Sequence, residues 1–170
     1  MERFKTIVED SVSAELVEKK SKFIANLFFV DSVEDAENKI KEIKKKYYDA
    51  RHNCSAYIIN NNNEITKKSS DDGEPSGTAG APMLEILEKN NLANVLVVVT
   101  RYFGGILLGT GGLVRAYSDS LKLAIERATL ATQEHGFEIN VELDYSDFEN
   151  FKYYCGKHNI KIINTEYLDS

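Results

Sequence analysis

The stretch "NVLVVVTRYFGGILLGTGGLVRAY", residues 94–117, decides the fold. Its opening "NVLVVVT" is a continuous apolar run, as expected of a strand covered on both faces, and predicts the central strand of a sheet. Gly104, Gly105, Gly109, Gly111 and Gly112 then interrupt the chain. After them Leu113, Tyr117, Leu121, Ala124 and Ala128 recur at helical spacing, which predicts a long helix packed by one face. Strand, glycine turn and helix in succession place the chain in the α+β class.

Upstream, residues 12–17 alternate and "SKFIANLFFV", residues 21–30, is rich in aromatic and branched side chains, so the two predict strands joined as a hairpin through "EKKSK". Ser32 followed by Asp35 resembles a capping box, and Val33, Ala36, Ile40, Ile43 and Tyr47 share one helical face. "CSAYIIN" and "EITKKSS", residues 54–60 and 64–70, read as strands joined by the asparagines of 61–63. Pro82 suits the first turn of a short helix through Met83, Ile86 and Leu87 that ends near Asn91. From about Gly136 a new unit begins, with strand "FEINVELDY", a helix over 146–158 and strand "IKIINTEYL". These β-α-β residues are too few to bury a core of their own readily.

Composition bounds the function. With 170 residues, 42% of them hydrophobic, the chain reads as globular, either one ample domain or a domain with a small companion. The opening "MERFKTIVED" lacks a signal-peptide core, and no apolar run approaches the roughly 18 residues of a membrane span, so a soluble cytoplasmic protein is expected. Cys54 and Cys155 have neither C-x-x-C spacing nor the density of a disulfide scaffold and are expected as buried thiols. A net charge of -6 argues against binding nucleic acid through overall basicity. The charge is uneven, however: residues 1–51 hold eleven Lys and Arg against eleven Asp and Glu, whereas 113–170 hold six against ten. A basic patch on the first half stays open.

"DDGEPSGTAGAP", residues 71–82, and residues 100–117 together hold eight of the ten glycines, beside paired carboxylates and two arginines. Two readings stand for the first motif. Ser76, Gly77, Thr78 and Gly80 would present free amides to an anion at a helix start, with Asp71, Asp72 and Glu74 holding Mg²⁺ for a phosphorylated ligand. Alternatively the segment is turn chemistry with Ser76 or Thr78 capping the helix; it lacks P-loop spacing. In the second motif Gly109, Gly111 and Gly112 precede a helix and suggest a phosphate nest, with Arg101 and Arg115 as cationic partners. Arg115 would equally pair with Asp119.

Three further constellations carry less. His52 and Cys54 suggest a thiol and its base, but no third group orients them, and a packed cysteine beside a hydrogen-bonded histidine is the plainer reading. Lys19, Lys20 and Lys22 with Lys44, Lys45 and Lys46 would make a phosphate-binding face, or the latter three would complement a helix dipole. Tyr47, Tyr48, Tyr102 and Phe103 would stack on bases or fill core.

"EKKSKFIA", "DARHNCSAYI", "SDDGEPSGTAGAP" and "VVVTRYFGGILLGTGGLVRAY" together resemble the signature of the IMPACT family, in its YigZ-like bacterial branch, over roughly residues 10–130. The resemblance implies an N-terminal α/β domain over 1–132, like the second domain of a small-subunit ribosomal protein and domain IV of elongation factor G. It implies a ferredoxin-like unit after it, of which residues 136–170 are long enough for the first half only. It also implies translational control through binding rather than catalysis, and identifies no catalytic residue and no required cofactor. The signature positions are Lys20, Lys22, His52, Cys54, Asp71, Asp72, Glu74, Ser76, Gly77, Thr78, Arg101, Tyr102, Gly104, Gly105, Gly109, Gly112 and Arg115. The leading expectation is a translation-associated protein that binds RNA, the ribosome or a protein partner through the face of the two glycine-rich motifs. The alternative is an enzyme or binder of a phosphorylated metabolite or nucleotide, with Mg²⁺ as cofactor. A half ferredoxin-like sheet would leave an unpaired edge, through which a homo-oligomer is expected.

Overall fold

A computed structural model describes residues 3–61, 64–134 and 136–168. Strand β1 (Arg3–Ile7) is followed by β2 (Ser11–Glu18), β3 (Ser21–Phe29), helix α1 (Val33–Lys46), β4 (His52–Asn61), β5 (Glu64–Ser70), α2 (Gly80–Lys89), β6 (Val95–Tyr102), α3 (Gly109–Arg127), β7 (Leu130–Glu134) and α4 (Phe148–Lys157). The chain divides into two compact units at 135/136.

In the first unit β6 lies at the centre of a five-stranded antiparallel sheet of order β2-β3-β6-β4-β5. The apolar run explains the position. Val95, Val97 and Val99 face a core completed by Met83 and Leu87 of α2 and by Leu113, Tyr117 and Leu121 of α3. Leu96 and Val98 face the opposite core, where α1 contributes Ala36 and Ile43 beside Val30, Tyr57 and Ile59. Every second residue of β6 therefore meets helix on one side or the other, which a strand with a wet face cannot do. Helix α1 starts at Ser32, whose hydroxyl accepts the Asp35 amide at 3.2 Å, and ends in Lys44, Lys45 and Lys46, the favoured sign for a C-terminus.

Two features depart from the sequence reading. Strands β1 and β7 pair antiparallel, Arg3 opposite Glu134 and Ile7 opposite Leu130, and neither was expected, because each is five residues long and its partner lies at the far end of the unit. The first unit thus runs through β7 rather than stopping at 132. In the second unit α4 forms after a 3-10 turn, Tyr145–Asp147, with Cys155 buried and Tyr167 against Phe148. The flanking residues 137–144 and 160–168, expected as the strands of a half ferredoxin-like sheet, form none. A strand gains its ladder only from a neighbour, and among the described residues neither segment pairs with one. The asparagine turn lies partly outside the described residues, at 62 and 63. Among the described residues no helix is long and apolar enough to cross a membrane.

Candidate functional site

The first glycine-rich motif leaves β5 through a tight turn in which Asp72 and Gly73 have φ of 42° and 87°, and the Glu74 amide donates to the Asp71 carbonyl at 2.9 Å. The chain then enters α2 with its first amides exposed to whatever anion is at hand. That anion is internal. The Asp71 carboxylate accepts from the amides of Gly77 at 2.8 Å, Ala79 at 3.1 Å and Gly80 at 2.8 Å. Burial pushes its pKa up, but the bonds from Gly77, Gly80 and Ala79 outweigh it and hold the carboxyl below its ordinary value. Thr78 is turned to the Pro75 carbonyl at 2.6 Å rather than to the helix, and Ser76 is exposed. The turn-chemistry reading was right about the use of the amides and wrong about the cap: Asp71, nine residues before Gly80, does that work.

The neighbouring carboxylates diverge. Asp72 accepts the Asn53 amide at 2.7 Å and pairs with Lys44 at 2.6 Å. Glu74 turns inward, where it binds Arg101 at 2.7 Å and accepts the Tyr117 hydroxyl at 2.8 Å. The pair is deeply buried, with side chains 3% and 8% exposed. The guanidinium lies 5.6 Å from the rings of both Phe23 and Phe103, and its Nε has no partner. His52 reaches toward this pair from β4, Nε2 being 4.0 Å from Glu74 and Nδ1 2.9 Å from the Asp72 carbonyl. Cys54 beside it donates its thiol to the Asp71 carbonyl at 2.9 Å, and burial pushes that thiol up to about 12. A thiolate nucleophile is therefore disfavoured here. Burial likewise raises the Tyr117 phenol. Among the described residues no group of three or more His, Cys, Asp or Glu side chains is arranged to hold a metal ion. The donors named for Mg²⁺ are instead committed to amides, Lys44 and Arg101.

Ser21 ties the second motif to this cluster. Its hydroxyl accepts the Gly104 amide at 3.1 Å and lies 3.5 Å from the Arg101 guanidinium. A Cβ on Gly104 would stand 2.0 Å from the Lys20 carbonyl, so only glycine lets the loop lie against the β2-β3 hairpin. Gly105 and Gly109 have φ of 87° and 73° and open space around them, and Gly112 packs against Leu108. Arg115 does not join Arg101. It is exposed at the mouth of a 300 Å³ cavity with Lys19 and Gly112, and it carries no ion pair among the described residues.

Beside this network a group of exposed cations lies at one end of the sheet. The register sets His52 opposite Arg101 and Lys22 opposite Tyr102, so the starts of β3 and β4 flank the end of β6 within about 10 Å. The β2-β3 hairpin places Lys19 and Lys20 at its tip. The end of α1 brings Lys45, Lys46 and Tyr48 to the same end, followed by Arg51. The Tyr102 hydroxyl fixes that segment by donating to Asp49 at 2.7 Å, a bond that, with burial, pushes the phenol up to about 12. Tyr48 is 85% exposed and Phe103 55%. Of the local carboxylates, Asp72 is held by Lys44, Glu15 by Lys22 and Asp49 by Tyr102, while Glu18, exposed beside Lys19, carries no ion pair among the described residues.

Of the signature positions, then, Asp71, Asp72, Glu74, Arg101, His52, Cys54 and Gly104 form one internal network, while Lys20, Lys22, Tyr102 and Arg115 stand around it. Sequence reasoning missed Ser21 and Tyr117 as members and Arg51 as a rim cation. A phenol on the buried face of a helix needs a polar partner, and that signal was present at Tyr117; nothing local distinguished Ser21.

The Impact N-terminal domain model matches residues 19–125. The chain is 45% identical over 139 residues to IMPACT family member YvyE of Bacillus subtilis, covering 82% of this chain and 64% of that relative. It is 38% identical over 150 residues to IMPACT family member YigZ of Escherichia coli, covering 88% of this chain and 74% of the relative. Among solved structures, one titled a hypothetical protein aligns over 99% of this chain and 82% of its own, with a TM-score of 0.72 and 35% identity. The two-domain translational regulator Yih1 aligns over 71% of this chain and 48% of its own, with a TM-score of 0.50 and 26% identity.

Proposed function

The chain belongs to the IMPACT family, and from that premise we propose that it is a translation-associated regulator that acts by binding an anionic partner at the basic end of its sheet. The partner class spans RNA, the ribosome and an acidic protein surface. The observation that carries this reading is the sorting of charge. In a chain of net charge -6, Glu74 is drawn into the interior and Asp71 and Asp72 are spent on backbone amides and Lys44, whereas Lys19, Lys20, Lys45, Lys46 and Arg51 at one end carry no ion pair among the described residues. The description of Yih1 as a translational regulator supports the same direction. The expected likeness of the first unit to the second domain of a small-subunit ribosomal protein and to elongation factor G domain IV belongs to this reading as analogy, since folds alone do not fix function.

The glycines serve the face indirectly. Gly104 and the Asp71-filled turn set the height of the loops around it, and Arg101 with Glu74 braces β6 from beneath. The test is co-sedimentation of the full chain with ribosomes at low and moderate salt. Charge reversal at Lys45, Lys46 and Arg51 should abolish an association that charge-neutral changes on the opposite end of the sheet leave intact. An association indifferent to the reversal, or none with the wild-type chain, would overturn the proposal.

A further inference from the structure

The β2-β3 hairpin closes with only Lys19 and Lys20 between the paired residues Glu18 and Ser21, and both lysines have positive φ, 45° and 64°. This is the pattern of a type I′ turn, which favours Asn-Gly because side chains with a Cβ are strained there. Two lysines hold the least suitable positions of the hairpin, fully in solvent. Their side chains make no ion pair among the described residues, so no charge pairing compensates for the strain. Beside them lie rings that water also disfavours. Phe103, 55% exposed with the Arg101 guanidinium 5.6 Å from its ring, immediately precedes Gly104, whose backbone meets Lys20, and Tyr48, 85% exposed, immediately precedes Asp49, which accepts the Tyr102 hydroxyl.

Resting on the reading of this end as the binding face, we propose that its ligand is single-stranded RNA, with phosphates on Lys19, Lys20, Lys46 and Arg51 and bases stacked on Tyr48 and Phe103. An acidic peptide would satisfy the cations and leave both rings in water. A base has a face for each ring, and stacking is available without regard to sequence. An A-form duplex keeps its bases stacked inside and offers the rings nothing, so a single strand is the form that uses the whole surface. The three strand ends that carry the site span about 10 Å, which suits one backbone passing across them.

The test is fluorescence anisotropy of the full chain with a labelled oligouridylate of about a dozen nucleotides, against a duplex of equal length, over a range of KCl concentrations. The single strand should bind more tightly than the duplex, with a log-log salt slope of about -0.7 for each phosphate held. The decisive variant is Lys19→Asn with Lys20→Gly. It gives the turn its preferred residues, so the melting temperature should rise by a few degrees while the slope falls by about 1.4. Tyr48→Ala and Phe103→Ala should each weaken binding about ten-fold and leave the slope unchanged. A duplex bound as well as the single strand, an unchanged slope in the turn variant, or silence from both ring variants would overturn the assignment. If ribosome association still depends on the basic end in that event, the ligand is not a single strand and the broader reading stands; if wild-type association is also absent, both fall.

Discussion

Glu74→Ala should be among the most damaging single changes in the chain, and its cost follows from what it strands. The variant leaves the Arg101 guanidinium with an exposure of 8%, its Nη1 bond gone and its Nε already without a partner. Tyr117 loses the acceptor of its hydroxyl at the same time. Breaking a buried pair from one side costs about 3–5 kcal/mol, because the remaining charge stays desolvated. At roughly 2–4 °C per kcal/mol for a chain of this size, the melting temperature should drop by about 6–20 °C. Replacing both partners tests the cause: Glu74→Leu with Arg101→Met removes the stranded charge and should return stability to within about 2 kcal/mol of wild type. Urea denaturation followed by far-ultraviolet circular dichroism supplies all the free energies. A loss below about 1 kcal/mol for Glu74→Ala, or a double variant as weak as the single, would refute the argument from desolvation. A double variant that folds yet no longer associates with ribosomes would refute the assignment of the pair to the scaffold.

Three other outcomes are expected. Asp71→Asn should cost about 2 kcal/mol at neutral pH, since the carboxylate serves three amides. Because the folded pKa lies below the ordinary value of 3.8, the carboxylate's contribution is present above that value and lost as pH falls through the folded pKa; the stability gap between wild type and variant, measured in urea at descending pH, should therefore stay level above the ordinary value and narrow below it. Cys54, with its thiol pushed up to about 12, should resist alkylation at pH 8 in the native protein, and peptide mapping that finds it modified before global unfolding would count against the burial described. Gly104→Ala should destabilise by about 2–4 kcal/mol, as its Cβ would meet the Lys20 backbone rather than a side chain able to move; a variant melting within a degree of wild type would contradict that contact.

What the sequence revealed depended on how local the physics was. The run 94–100 and the helical spacing of Leu113, Tyr117 and Leu121 report burial within a few residues, and both were legible. Strands β1 and β7 were not, because their pairing is made across the length of the unit and five residues give little periodicity. Residues 137–144 show the reverse failure: Ile139, Val141 and Leu143 alternate as a strand does, but alternation describes which side chains want cover and says nothing of whether a neighbour supplies it. At the site, the small residues Ser76, Gly77, Thr78 and Gly80 ahead of a helix signalled amides open to an anion. They could not say that the anion was the chain's own. Arg101 and Glu74 were likewise legible as charged groups in an unusual setting, whereas their mutual pairing required the turn at Asp72 and Gly73 to aim Glu74 inward. The lysines of 19–22 looked ordinary as composition and became informative only through their backbone angles.

The clasp between β1 and β7 governs how the molecule can be made. Phe4 and Ile7 leave the ribosome long before the strand that completes their sheet, which is synthesised more than a hundred residues later. Each nascent copy must therefore carry an unfinished edge until Glu134 has cleared the exit tunnel, so closure comes late in the making of the first unit. Any change that slows elongation beyond α3 prolongs that exposure, so the yield of correctly folded protein should respond to translation speed over this short segment more than to the stability of the finished fold.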